Sequence, residues 1–152
     1  MDLQTDLVIV GGGMAGFSAA LEAARAGHEV ILLEKQPETG GSSAMSGGCL
    51  AFAGTDLQRE NGIEDSNELL FNDLREVGQF ENDEALVRIY TDNQLDTYEW
   101  LKLAGVRFGR HIEASSGQSV PRVHNVDPAD TVRTLAARAK ETGKVRLLRS
   151  TK

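Results

Sequence analysis

A run of strand-forming residues that breaks directly into glycines constrains this chain more than any other feature. Asp6-Leu7-Val8-Ile9-Val10 becomes continuously apolar after its first residue, the pattern of a strand that wants cover on both faces inside a parallel sheet. Gly11-Gly12-Gly13-Met14-Ala15-Gly16 follows at once. From Met14 to Ala26 the residues are mostly strong helix formers, and Gly27 stands where a left-handed residue ends such a helix. His28 to Glu34 is a second apolar strand. Strand, glycine turn, helix and strand make a βαβ unit, which commits the chain to an α/β fold with a parallel sheet and a crossover helix.

The glycine spacing adds chemistry to the topology. In Gly11-x-Gly13-x-x-Gly16, Gly11 permits the tight turn, Gly13 lets a pyrophosphate approach the backbone, and Gly16 lets the helix pack close to the strand. The N–H groups at the helix start then face the phosphates, and the helix dipole favours their charge. Glu34 ends the second strand, 18 residues after Gly16. A carboxylate there accepts hydrogen bonds from ribose hydroxyls and repels a 2′-phosphate. A turn that merely joins strand to helix needs no acid in that register. The spacing therefore points to a dinucleotide.

Composition excludes several alternatives. The chain has 152 residues, 40% hydrophobic and 26% charged, the profile of a folded globular domain. A net charge of −7 argues against a nucleic-acid backbone as the main partner. The acidic opening Met1-Asp2-Leu3-Gln4-Thr5-Asp6 and the short apolar stretch behind it do not read as a secretory signal. No apolar run approaches membrane-spanning length. The single cysteine, Cys49, excludes an internal disulfide and a cysteine-based metal site. A reducing cytoplasm fits that usage.

The remaining chain reads as follows. Residues 37–55 form a long Gly/Ser loop with a short helical turn near Ala44-Met45. Asp65-Ser66-Asn67-Glu68 starts a helix with a capping box, with Leu70, Leu74 and Val77 as its apolar stripe and Gly78 as its end. Asn82-Asp83-Glu84 opens a longer helix that closes at Gly105, and Val106 to Phe108 is a short strand. Residues 109–126 have no clear period and read as loop. Asp127-Pro128 starts a helix with Val132, Leu135, Ala136 and Ala139 on its buried stripe, and Gly143 ends it. Lys144 to Arg149 is a third strand. The fold class is a Rossmann-like doubly wound sheet of about three parallel strands, with a helical insertion between strands two and three. Residues 1–55 carry the βαβ unit and second glycine segment, 56–126 the insertion, and 127–152 the last helix and strand. The strand order third-second-first leaves the apolar first strand at an edge. The chain is therefore expected to be the front part of a larger sheet.

Glu34-Lys35-x-Pro37-x-x-Gly40-Gly41-Ser42-Ser43-Ala44-Met45-Ser46-Gly47-Gly48 resembles the flavin-binding segment of the fumarate reductase/succinate dehydrogenase flavoprotein family. The resemblance covers most of the chain and continues through Gly54-Thr55, Gly62 to Ser66, Trp100-Leu101, Gly105-Val106 and Ser119 to His124. It implies FAD as cofactor. It implies Gly11, Gly13, Met14, Ala15, Gly16, Glu34 and Lys35 as binding residues in the first segment. In the second it implies Gly40, Gly41, Ser42, Ser43, Met45, Ser46, Gly47 and Gly48. Gly and Ser there offer N–H groups and hydroxyls to the ribityl chain, phosphates and flavin without crowding them. In one branch of the family a histidine of this segment bonds FAD covalently, and Gly41 stands at its place here. Non-covalent FAD is therefore expected.

The resemblance further implies an oxidoreductase that makes or reduces a C=C bond next to an electron-withdrawing group, with a carboxylic acid or enone as substrate. The family's catalytic arginine and main substrate-binding residues lie in segments that nothing in residues 1–152 matches. No catalytic residue is assigned, and this length of chain is expected to be inert alone. A stand-alone nucleotide- or FAD-binding module is the alternative, and an NAD-binding domain a more distant one. Arg122, His124 and His111 are candidates for facing the flavin or an anionic substrate, set against plain loop residues that make hydrogen bonds or face solvent. Asp127 reads as a helix cap, Trp100 and Tyr90 as core, Cys49 as a buried structural thiol, and the acidic run from Glu60 to Glu84 as a solvated helix face without metal.

Overall fold

A computed structural model describes residues 3–152. Met1 and Asp2 of the acidic opening lie outside the described residues. In chain order the elements are β1 (Leu7–Val10), α1 (Met14–Arg25), β2 (Val30–Leu33), α2 (Gly41–Ala44), β3 (Cys49–Ala51), α3 (Asp56–Glu60), α4 (Asn67–Val77), α5 (Glu84–Ala104), β4 (Phe108–Glu113), β5 (Val123–Val126), α6 (Pro128–Glu141) and β6 (Val145–Leu148). They form two compact units. One runs to Gly47 and resumes at Asp127; the other is Gly48–Val126.

The first unit is the expected α/β layer. Its sheet has the order β1-β2-β6, all parallel, with Leu7 opposite Val30 and Leu33 opposite Leu148. β1 is thus the edge strand the sequence anticipated. Helices α1 and α6 pack on each other and on the sheet. Phe17, Ala20, Leu21 and Ala24 of α1 meet Val132, Leu135 and Ala139 of α6 and the β2 side chains in one core. Ala136 is only half-buried on that stripe. Asp127 caps α6 by accepting from the Asp130 N–H, and Pro128 opens it, because proline's missing donor costs nothing at that position. The expected cover on both faces fails for β1. Val8 is 57% and Val10 81% exposed, since α1 and α6 pack together on one face of the sheet.

The second unit holds more strand than the single short one expected at Val106 to Phe108, which begins only at Phe108 and runs on to Glu113. Residues read as loop form a three-stranded antiparallel sheet in the order β3-β5-β4. A register shift between Phe108 and Ile112 in β4 hides the alternation that marks a strand. The sheet, α3 and α5 enclose an aromatic cluster of Phe52, Tyr98, Phe108 and His124, with ring centroids 4.8–6.2 Å apart. Tyr98 is the buried tyrosine. Tyr90, read as core, is 41% exposed, and its hydroxyl donates to Ala51 O at 2.5 Å. Trp100 is half-buried. Val77 is exposed, and Phe71 fills the core beside Leu70 instead. The capping box lies at α3, where Thr55 and Gln58 exchange bonds; at α4 Ser66 alone caps, accepting from Leu69 N–H. Asp83 caps α5, and Gly105 ends it in the left-handed conformation.

Ion pairs tie this unit together. Arg122 is fully buried, with its guanidinium on both oxygens of Asp65 at 2.7 and 2.8 Å and on Asp73. Asp73 also accepts from the Ser119 N–H and hydroxyl at 2.8 and 2.9 Å. These two aspartates of the acidic run are therefore structural partners and not part of a solvated face. Elsewhere Asp56 accepts from Lys102 and from the Tyr98 hydroxyl, each at 2.5 Å, joining α3 to α5. Removing the Arg122 charge leaves two buried carboxylates unpaired. Arg122→Met should lower the stability of this unit by about 3–5 kcal/mol, read by urea unfolding through Trp100 fluorescence. The hydrogen bonds from Lys102, then Tyr98, hold the Asp56 carboxyl down at about 2, below its ordinary 3.8. A depressed carboxyl stabilises the fold above its unfolded value and ceases to do so as pH falls through its folded one. The melting-temperature gap between wild type and Lys102→Met should be full above pH 3.8 and close as pH falls through about 2.

Candidate FAD site

The glycine turn sits where β1 ends and α1 begins. Gly11 has φ +104°, a conformation that strains any residue with a Cβ. Its N–H donates to Leu33 O at 2.7 Å, which ties the turn to the end of β2. Gly16 has no room for a side chain: a Cβ there would lie 1.9 Å from Gly11 O and 3.6 Å from Ile9 Cγ2. Close helix–strand contact at Gly16 is therefore realised. At Gly13 a Cβ would meet Ser43 Oγ at 3.2 Å, so this glycine lets the second glycine segment approach as well.

Hydrogen bonds join the two segments within this unit. Gly40 N–H donates to Gly12 O at 2.8 Å, and Met14 N–H donates to Ser43 Oγ at 3.1 Å. Gly12 N–H donates to Glu34 Oε2 at 2.8 Å, and Gln36 N–H to Glu34 Oε1 at 2.8 Å. Those two donors, Gln36 first, hold the Glu34 carboxyl below its ordinary value against the opposing effect of desolvation. The Glu34 backbone is bound on both sides, its N–H to Leu148 O at 2.8 Å and its O to Thr151 N–H at 2.9 Å. The acid thus stands at the carboxyl ends of β2 and β6, beside the turn.

The structure brings Gly11, Gly13, Met14, Gly16, Glu34, Gly40 and Ser43 together. Gly41 opens α2, and Ser42, Met45, Ser46 and Gly47 lie exposed after or within it. The Ser46 hydroxyl donates to Ser43 O at 2.9 Å. Lys35 is exposed beside Glu34. Gly48 is buried in the other unit, where its carbonyl accepts from Val126 N–H at 2.9 Å. Sequence reasoning missed Gly12 and Gln36. The signal for Gly12 was the uninterrupted glycine triplet, since a Cβ there would stand 3.0 Å from Thr39 Cγ2 and 3.2 Å from Glu34 Oε2.

The other candidates, Arg122, His124, His111 and Cys49, lie away from the glycine turn's hydrogen bonds. Arg122 and His124 make hydrogen bonds, as one of their readings had it, but do so fully buried inside the second unit and not facing solvent. Both His124 ring nitrogens are engaged, Nε2 with Thr55 Oγ1 at 2.8 Å and Nδ1 with Arg122 O at 2.7 Å, and burial pushes the ring's pKa down. His111 is exposed on β4. Cys49 is exposed, not buried, because it opens β3 with its thiol 3.4 Å from Asn125 Oδ1. Among the described residues no group of His, Cys, Asp and Glu could hold a metal, and no helix is long and apolar enough to cross a membrane.

What the glycine segments offer is specific. The first turn of α1 has no acidic residue and no side-chain cap. Among the described residues the Gly13, Ala15 and Gly16 amides find no acceptor in the protein. Free amides at a helix start, a glycine where the backbone must be approached, and an ionised carboxylate at the end of β2 suit a diphosphate joined to a ribose.

The family model described as "FAD binding domain" matches residues 6–149. The chain belongs to the FAD-binding domain family. FAD is its cofactor, and the donor set at α1 and the carboxylate at Glu34 suit that ligand. The chain is 40% identical over 119 residues to a fumarate reductase (cytochrome) of Shewanella frigidimarina, covering 78% of this chain and 21% of that protein. It is 39% identical over 118 residues to a urocanate reductase of Eggerthella lenta, covering 77% of this chain and 20% of the other. The solved open conformation of a flavocytochrome c3 fumarate reductase superposes with a TM-score of 0.89 at 34% identity, over 96% of this chain and 26% of that one. The chain spans about a fifth of the length of these curated relatives. Within this FAD-binding domain Gly40 of the second segment is tightly constrained, with φ +118° and a would-be Cβ 2.6 Å from that of Ala44. Gly40→Ala should cost about 1–3 kcal/mol of backbone strain and weaken FAD at least about tenfold, measured by flavin fluorescence titration.

Proposed function

We propose that this chain is the FAD-holding part of an oxidoreductase that reduces or forms a C=C bond next to an electron-withdrawing group. The open amides at the start of α1, between Glu34 and Ser43, carry the reading. In it the Gly13, Ala15 and Gly16 N–H groups grip the pyrophosphate, and the helix dipole adds to their pull. Glu34 accepts from the adenosine ribose while remaining ionised, as its two N–H donors favour. Gly11 and Met14 shape that grip, and Lys35 flanks the ribose. Gly40, Gly41, Ser42, Ser43, Met45, Ser46 and Gly47 lie along the ribityl chain and flavin. Bound FAD supplies hydride transfer to or from a substrate carbon. The protein's own part here is binding and orientation.

The relatives named for fumarate and urocanate reduction support an unsaturated carboxylic acid as substrate class, with an enone as the wider alternative. Among the described residues Glu34 is the one buried acid beside the glycine segments, and its depressed pKa makes it a poor proton donor. The 152-residue chain by itself is therefore expected to bind flavin and turn nothing over. FAD is held without a covalent bond, since no histidine lies in the second segment and His124 is locked by two hydrogen bonds. The exposed Cys49 thiol suits a reducing compartment such as the cytoplasm. Protein loaded with FAD should be yellow, and acid precipitation should release all the colour to the supernatant. Colour retained in the pellet would show a covalent link. A colourless protein that binds NAD instead would overturn the reading.

A further inference from the structure

We infer that Glu34 is the positioning residue of the glycine turn: its carboxylate sets the shape of the turn before any ligand arrives, and contact with a ligand is its second duty. The inference rests on the proposed FAD site only for what the turn then binds. Glycines cannot define their own conformation, because they lack the side chain that restricts φ and ψ. Gly11-Gly12-Gly13 therefore has to be held from outside. Gly12 is held at both of its backbone groups, with N–H on Glu34 Oε2 and carbonyl on Gly40 N–H, each at 2.8 Å. In a planar trans peptide the C=O and N–H point in opposite directions. Aiming Gly12 N–H at Glu34 therefore turns Gly11 C=O the other way, toward Gly16, whose missing Cβ would lie 1.9 Å from that oxygen. Aiming Gly12 C=O at Gly40 likewise turns Gly13 N–H away from the second segment, where it is free for an anion. The second oxygen of Glu34 fixes the Gln36 N–H at 2.8 Å, so the carboxylate is itself anchored to the chain after β2. The two amides sit on separate acceptor oxygens of Glu34. Glutamine offers one.

The test uses the 152-residue chain and Glu34→Gln. Amide hydrogen exchange at Gly12 and Gln36 is followed by NMR without ligand, and affinity is measured for FAD and for an FAD analogue lacking both hydroxyls of the adenosine ribose. Positioning predicts faster exchange at Gly12 and a similar weakening of both ligands, roughly tenfold to a hundredfold. Loss of a negative charge near a diphosphate would by itself tighten binding. Weakening of the analogue therefore reads turn geometry, which neither electrostatics nor a lost ribose contact accounts for. If FAD weakens, the analogue does not, and Gly12 exchange is unchanged, Glu34 acts only on the ribose and the inference falls. If the wild type binds no FAD, the cofactor assignment fails, and the exchange result still decides the role of Glu34. Should the variant not fold, acid titration of the wild type decides. One shared midpoint at the Gly12 and Gln36 amide nitrogens, below the ordinary glutamate value, supports the inference, and unlinked responses overturn it.

Discussion

The hydrogen bond from Gly12 N–H to the buried Glu34 carboxylate is the contact on which the site's geometry depends. It links the turn after β1 to the end of β2, residues 22 apart in sequence. Sheet pairing brings those ends side by side, with Val10 opposite Leu33. The carboxylate then fixes a peptide that no side chain could fix, and Gly40 N–H holds the same glycine from the other side. Close packing at Gly16 lets α1 begin immediately after the turn, so its first amides stand open at the mouth of the sheet. Apolar strand pairing, a tight helix contact and one ionised acid together leave open backbone amides at the start of α1, the donors on which the proposed diphosphate grip rests.

The second unit is organised differently. Its polar interior is fully partnered: no buried side-chain nitrogen or oxygen among the described residues lacks a hydrogen bond. Arg122 binds two carboxylates, and His124 bridges Thr55 and the Arg122 carbonyl. Groups so completely satisfied are scaffolding. In the first unit, by contrast, the helix-start amides are left open. The proposed ligand site rests on that contrast between closed and open polar groups more than on residue type. Arginine and histidine carry the charge and donors that suit anions, yet here both face inward.

Much of the first unit was legible because its signals are local. Apolar runs, a glycine triplet, a stop glycine at Gly27 and the Asp127-Pro128 start each act within a few residues. The second unit was less legible because its signals are not. β3 and β5 are three and four residues long, too short for alternation to register, and β4 is interrupted by its register shift. Tyr90 and Tyr98 are both helical aromatics on α5, and nothing local says which turns inward. Ser66 caps α4, and the neighbouring Asp65 is engaged by Arg122, 57 residues away, a partner no local pattern reveals.

The sequence alone determined the βαβ topology, the place of the glycine turn and the acid at the end of the second strand, because backbone freedom, helix propensity and strand hydrophobicity are properties of neighbouring residues. Tertiary structure decided which amides stay open, which oxygen of Glu34 holds which N–H, and that Arg122 and His124 face inward. Those outcomes depend on donors and acceptors that only folding brings within hydrogen-bond reach.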